Sequence, residues 1–464
     1  MAFNPNTRIM LHLGLGSFHR AHQAVYMQKL INSGDTRWAL AGGHLRPDMI
    51  EIIDALQRQG EYTLETISPE GKHHYEVIHA IRHVVPYEPT LSGLIEIGAH
   101  AATGIISFTV TEAGYYLDDK NNLDLNFVDL KADIERVRAG QVGQTIYGAL
   151  VTILRARIAS GAGKVTLLNC DNLRHNGERF RAGFLQFIDW IGDSALSAWV
   201  QANTTCPNDM VDRITPRPTS DVKERVKAAT GRDDEAALMG EDFIQWVVED
   251  NFCAGRPAWE QVGVEMVDSV SAHEEAKIRI LNASHSCIAW AGTLKGYQYI
   301  HEGTQDPAIR SLAYNYVTHD VIPCLSPSPI DLAQYRDVVL QRFGNEAIRD
   351  TNQRVAMDGF SKIPGYIVPT FRDALSRGLS IDSVAVLPAL FLAFLQRWHK
   401  GQVSFEYQDQ AMPVAVGHAI CEAADPIQAF CADVSLWGSL ANDERVVAAI
   451  RQATAQIRFL THSS

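Results

Sequence analysis

Apolar residues follow two rhythms along this chain. Up to about residue 267 they come in short runs that end in glycine or polar residues, with helically spaced stretches between them. Residues 8–13 predict a buried strand, Gly14, Leu15 and Gly16 a turn, and 21–30 a helix. A second run, 38–41, ends in Gly42 and Gly43, and a helical stretch carrying Met49, Ile52 and Leu56 follows it. After 62–67 and a hairpin around Gly71 and Lys72, the run 105–110 ends at Thr111, Glu112, Ala113 and Gly114, and 165–169 ends at Cys170, Asp171 and Asn172. Strands alternating with helices predict a mostly parallel sheet with ligands at its carboxyl ends, hence an α/β fold. From Glu274 onward the helical period dominates, over 278–294, 309–317, 330–343, 384–399 and 446–459. The expected division is therefore 1–268, including a connecting lobe from about 195, and a mostly helical domain over 269–464.

Length agrees with that division, since 464 residues exceed one ordinary core. A content of 46% hydrophobic and 20% charged residues is that of a soluble globular protein. With 41 Lys and Arg against 54 Asp and Glu, the net charge of -13 opposes binding to nucleic acid or an anionic membrane, although a local positive pocket is compatible with it. The seven cysteines are scattered, with no CxxC spacing, which points to the reducing cytoplasm rather than a disulfide framework. His12 interrupts the short apolar start, and the run 384–395 contains Pro388 and is too short to span a bilayer, so neither a secretory segment nor a membrane span is expected.

Glycines at 14 and 16, directly after a strand, allow a tight turn that brings backbone N–H groups close to a pyrophosphate. An ordinary glycine turn in another α/β sheet is the alternative. The third glycine of G-x-G-x-x-G is replaced by His19, which predicts a helix standing farther from the sheet. Phe18 sits in the same turn segment, and Arg20 is placed to bind phosphate or to lie solvated on the surface. After the second strand, Asp48 favours NAD, through a ribose hydroxyl, while Arg46 would tolerate a 2′-phosphate.

At 100° per residue, Lys277, Asn282 and His285 fall within one arc of a helix that is otherwise apolar. A desolvated lysine is a candidate base, Asn282 a donor to an alcohol oxygen gaining negative charge, and His285 an orienting group. A snorkelling lysine beside two locally satisfied polar groups is the competing reading. Asn172 at a strand end is a candidate second donor and Glu112 a proton relay, whereas Asp171 and Asn176 suit turn caps equally well. No HExxH or paired-cysteine spacing occurs among the 17 histidines and seven cysteines, so metal chemistry is not expected.

The stretches HLGLGSFHRAHQ (12–23), TEAGYY (111–116), CDNLRHNG (170–177), MVDRITPR (210–217), WVVEDNF (246–252), KIRILNASHS (277–286) and MDGFSKIP (357–364) together resemble the polyol-specific long-chain dehydrogenases. The resemblance runs along nearly the whole chain. It implies an expanded Rossmann-type N-terminal domain with a mostly α-helical C-terminal domain, metal-independent and acting as a monomer with NAD on a secondary alcohol of an open-chain polyol. It further implies Lys277 as general acid/base, Asn172 and Asn282 as the oxyanion pair, His285 as a substrate-orienting group and Glu112 in a proton path. Asp212, Arg354 and Lys362 are implied as contacts to substrate hydroxyls. The segments GSFHRAHQAVYMQKL, GDTRW and TLETISPEG most resemble members that convert D-arabinitol to D-xylulose; mannitol- and mannonate-oxidising members are the alternatives. A cofactor-binding regulator without turnover is the alternative of another class. One departure is Phe360, where a small serine is expected, with Ser361 in place of glutamine, which puts the shape of the substrate pocket in question.

Overall fold

The computed structural model describes residues 7–118 and 121–461. The chain divides into two compact units, Met1–Ile67 with His73–Ser271, and Ser68–Lys72 with Ala272–Ser464.

The strands of the first unit are, in chain order, β1 (Arg8–Leu13), β2 (Trp38–Gly43), β3 (Tyr62–Ile67), β4 (His73–Ile78), β5 (Ile81–Val84), β6 (Thr103–Phe108), β7 (Val165–Asn169), β8 (Thr204–Thr205), β9 (Asp209–Asp212), β10 (Leu238–Glu241), β11 (Gln245–Glu249) and β12 (Glu265–Val267). Six of them form one sheet in the order β5-β2-β1-β6-β7-β8, and every pairing in it is parallel. Two three-stranded sheets, β10-β3-β4 and β12-β11-β9, complete the unit. The region from 195, read from sequence only as a connecting lobe, supplies β8 to β12 and the helix Ser220–Thr230.

Both faces of the parallel sheet are covered, as its continuous apolar runs require. Along β1 the side chains alternate: Ile9, Leu11 and Leu13 enter the cluster containing the helix Ile146–Ser160, while Met10 enters the one containing Val25 and Leu30 of the helix Gln23–Asn32. The chain turns back on itself between β1 and β6, where neighbouring crossovers leave in opposite directions. At such a point the loops after the strands part and leave a crevice. One expectation is corrected here. The helix predicted over 21–30 begins at Ser17 and is interrupted at His22, whose φ of -124° and ψ of -87° separate Ser17–Ala21 from Gln23–Asn32.

The second unit is helical. Its helix Val386–His399 is buried on every side through Leu395, and Phe391 meets Trp290 at 4.9 Å between ring centroids. A helix apolar all round belongs at the centre of a bundle, which accounts for the uninterrupted run read from sequence. Among the described residues three helices of this unit widen into π turns, at Lys277–Asn282, Val317–Val321 and Ile363–Ile367, and the first packs against both others. Among the described residues no helix is long and apolar enough to cross a membrane.

Candidate active site

In the first unit a cavity of about 640 Å³ opens where the loops after β1 and β6 part, lined among others by Gly14, Gly16, Phe18, Asp48, Thr109 and Tyr116. Gly14 has φ +111°, and a Cβ there would stand 2.7 Å from the Thr109 carbonyl oxygen, so the close approach of the two loops requires glycine. A Cβ on Gly16 would meet nothing within 4 Å, so backbone faces open space at that position. His19, standing where a third glycine was sought, is fully buried and stacks on His12 at 3.5 Å. Aromatic stacking thus replaces close backbone packing between this segment and β1. Burial drives the His19 pKa down to about 3 and lowers that of His12, so two neutral rings lie face to face without charge repulsion. His12 is held in place by contacts of 2.7 Å to Ser107 Oγ and Thr109 Oγ1.

Arg20 is not a phosphate ligand in this geometry. Its side chain is buried away from the cavity lining, donates to the Ala236 carbonyl at 2.6 Å and lies over the Tyr62 ring, whose hydroxyl donates to the Arg20 carbonyl. That arginine joins the 17–21 segment to the chain leading into β10. Arg46 does line the cavity, but one of its N–H groups donates to the Tyr116 hydroxyl at 3.2 Å.

The loop after β6 is held by Asp171. Its carboxylate accepts from the Val110 and Thr111 backbone N–H groups at 2.9 Å each, and from the Tyr115 hydroxyl. Thr111 has φ +63°, a conformation that an L residue keeps only when its surroundings enforce it. Burial raises the Asp171 pKa, opposed by these donors. Asn176 ties the same region to the third sheet: its amide donates to Asp209 at 2.5 Å and its oxygen accepts the Asp209 N–H at 2.9 Å. Trp246 Nε1 donates to the other Asp209 oxygen at 2.7 Å. Two of the sequence stretches singled out above, 170–177 and 246–252, therefore meet at one buried carboxyl that immediately precedes a third, and burial raises its pKa to about 8. Asn172 is exposed at the carboxyl end of β7, and Asp212 is buried at the end of β9.

In the second unit Lys277 opens the π turn Lys277–Asn282 and is buried, while Asn282 and His285 are half-buried. An α-helical count places residues five apart about 140° from one another. A π turn closes its hydrogen bonds over that same spacing, so Lys277 and Asn282 come closer to one face than the sequence reading placed them. The His285 ring stacks on Phe343 at 4.4 Å and its Nε2 lies 3.1 Å from Asp350, off the line of a good hydrogen bond. Arg354 grips the same carboxylate through Nε at 2.7 Å and Nη2 at 2.5 Å. Burial opposes ionisation of Asp350, but His285 and Arg354 outweigh it and hold the carboxyl below its ordinary range. Burial also lowers the His285 pKa, against the pull of Asp350. Lys362 donates to the Val355 carbonyl at 2.5 Å, and burial lowers its pKa to about 8.

The folded chain thus gathers Gly14, Gly16, Phe18 and Asp48 around one cavity and leaves Arg20 out of it. His285, Arg354 and Lys362 gather near Asp350, whose charge is felt at Lys362. Sequence reasoning missed Asp350 entirely and left Asp171 undecided between a cap and a functional group. A signal for Asp350 was present in its i, i+4 spacing to Arg354. The side chain of Glu112 lies outside the described residues; its backbone belongs to the short turn Glu112–Tyr115. Phe360 is 3% exposed and meets Phe391 edge-on, so its bulk fills the helical core. Among the described residues no group of three His, Cys, Asp or Glu side chains is placed to hold a metal.

Residues 8–261 match the mannitol dehydrogenase Rossmann domain, and residues 269–458 match the mannitol dehydrogenase C-terminal domain. The D-arabinitol 4-dehydrogenase of Ralstonia nicotianae is 55% identical over 97% of this chain and 96% of its own, and that of Klebsiella pneumoniae is 54% identical over 96% and 97%. The structure of Pseudomonas fluorescens mannitol 2-dehydrogenase, a ternary complex with NAD and D-mannitol, superposes with a TM-score of 0.81 at 32% identity, covering 99% of this chain and 95% of that one. The two family models together account for nearly the whole chain, the parallel-sheet unit by one and the helical unit by the other, and the chain belongs to the mannitol dehydrogenase family.

Proposed function

We propose that this protein is a polyol dehydrogenase that oxidises a secondary alcohol of D-arabinitol to give D-xylulose, with NAD as the coenzyme. The observation that carries the substrate assignment is that the two bacterial relatives, matched over nearly their full lengths, are D-arabinitol 4-dehydrogenases. NAD is supported by the coenzyme in the mannitol 2-dehydrogenase complex and by the cavity itself. A Cβ at Gly14 would clash with the Thr109 carbonyl and force the loops apart, the space above Gly16 is open, and Asp48 follows β2 where a ribose hydroxyl needs an acceptor. Gly14, Gly16, Phe18 and Asp48 would hold the coenzyme, which when bound takes the hydride from the alcohol carbon.

The chain's own residues handle the proton and the charge. Lys277, as a neutral amine, accepts the hydroxyl proton; in the reverse direction its ammonium returns it. Asn172 and Asn282 donate N–H groups to the oxygen while it carries negative charge, and no metal is needed for that stabilisation. His285, fixed by Phe343 and Asp350, orients a hydroxyl. Asp212, Arg354 and Lys362 contact further hydroxyls, and Glu112 carries the proton onward to solvent. Arg354 has Nε and Nη2 engaged by Asp350, which leaves Nη1 to face substrate. Initial rates with D-arabinitol, D-mannitol, sorbitol, xylitol and D-mannonate, each with NAD and NADP, test the reading. D-arabinitol with NAD is expected to give the highest kcat/KM and D-xylulose as product; a higher value for mannitol or mannonate would overturn the substrate assignment.

A further inference from the structure

The helix over 271–295 does not keep one hydrogen-bond register. It is α-helical over Ser271–Ala276, π over Lys277–Asn282 and α-helical again over Ala283–Lys295. Passing back from an i→i−5 to an i→i−4 pattern skips a carbonyl, and a buried carbonyl needs a donor from elsewhere. One hydroxyl stands at that place. Tyr316 Oη lies 3.1 Å from the Arg279 carbonyl oxygen, 3.3 Å from that of Ile280 and 2.8 Å from Ser284 Oγ. Tyr316 is 1% exposed and ends the helix Pro307–Tyr316, where the second π turn begins. Burial raises its pKa well above the ordinary tyrosine value, so the hydroxyl keeps its proton for donation. The side chain of Arg279 is engaged separately, by Glu275 at 2.7 Å and Asp373 at 2.6 Å.

We propose that the Tyr316 hydroxyl, oriented by Ser284, holds the π register of Lys277–Asn282 and so sets Lys277 and Asn282 on a common face of the helix. Tyr316 is then a positioning residue for the proton transfer, and the proposal rests on the assignment of Lys277 as the base. Without the hydroxyl, relaxation to α spacing returns the skipped carbonyl to the helix. Lys277 and Asn282 then rotate to about 140° apart. The turn is a two-register element, and a buried tyrosine selects the register that the chemistry uses.

Tyr316→Phe removes only the hydroxyl. The single-turnover rate constant for coenzyme reduction, which does not depend on how much of the preparation is folded, is expected to fall roughly ten- to hundredfold. Coenzyme Kd should stay at the wild-type value, and amide hydrogen exchange over 278–284 should accelerate while the first unit exchanges as before. Ser284→Ala, which keeps the hydroxyl, should move the same two quantities in the same direction by less, and it decides the matter if Tyr316→Phe does not fold. A wild-type single-turnover rate constant and wild-type exchange in the folded variant overturn the proposal. Lys277→Ala separates the two claims: near-normal turnover there overturns the base assignment, whereas lost turnover beside an unaffected Tyr316→Phe overturns only the positioning role.

Discussion

Lys277 exposes 6% of its surface at the start of a π turn, and the proposed function makes it the base. Lys277→Ala should therefore lower turnover by several orders of magnitude. Asn282→Ala, which deletes one of the two proposed donors to the charged oxygen, should cost about 3 to 4 kcal/mol in the transition state, read from kcat/KM. Lys362 supplies a pH signature of its own. With its pKa lowered to about 8 by burial, it is charged below that pH and neutral above it. If its ammonium binds a substrate hydroxyl, KM for the polyol should rise as pH passes upward through about 8, and Lys362→Met should show the raised KM at every pH. Coenzyme choice can be tested at a fourth side chain. The Arg46 guanidinium is engaged by the Tyr116 hydroxyl, so Tyr116→Phe should free it for a 2′-phosphate and raise kcat/KM with NADP relative to NAD.

Among elements, the loop after β6 shows how a strained backbone is kept at a ligand cavity. Asp171 accepts from two successive backbone N–H groups and a tyrosine hydroxyl, and this fixes Thr111 at a positive φ. Asp171→Asn would set an amide N–H against one of those donors, at a cost of about 1–3 kcal/mol. A lower urea midpoint and a weaker coenzyme Kd are the expected outcomes. The strands that build this cavity were legible in the sequence because a buried parallel strand is a short apolar run that stops at glycine, and β1, β2 and β7 stop that way or at polar residues. The helix start at Ser17 was not, because its packing depends on His19 stacking across to His12. Nor was the role of Arg20, whose partner Ala236 is 216 positions away, beyond the reach of any local pattern. The π turns were hidden for a related reason: a count at 100° per residue assumes the α register, and the hydroxyl associated with the other register lies on another helix.

At the scale of the molecule, coenzyme binding and proton transfer are assigned to different compact units, and stability provides a way to separate them without relying on turnover. A ligand that binds only the native state stabilises it by about 2.7 kcal/mol at a hundred times its Kd. NADH added to the wild-type chain should raise the unfolding temperature, and Lys277→Ala should keep that rise in full because the cavity around Gly14 and Asp48 is untouched. Gly14→Ala should lose it. The new methyl would be forced against the Thr109 carbonyl oxygen, 2.7 Å from the ideal position of its carbon, so the loops that form the cavity must separate or the backbone must leave φ +111°. The opposite pattern, a rise abolished in Lys277→Ala and kept in Gly14→Ala, would place the coenzyme on the helical unit and remove the basis for reading the glycine turn as its seat.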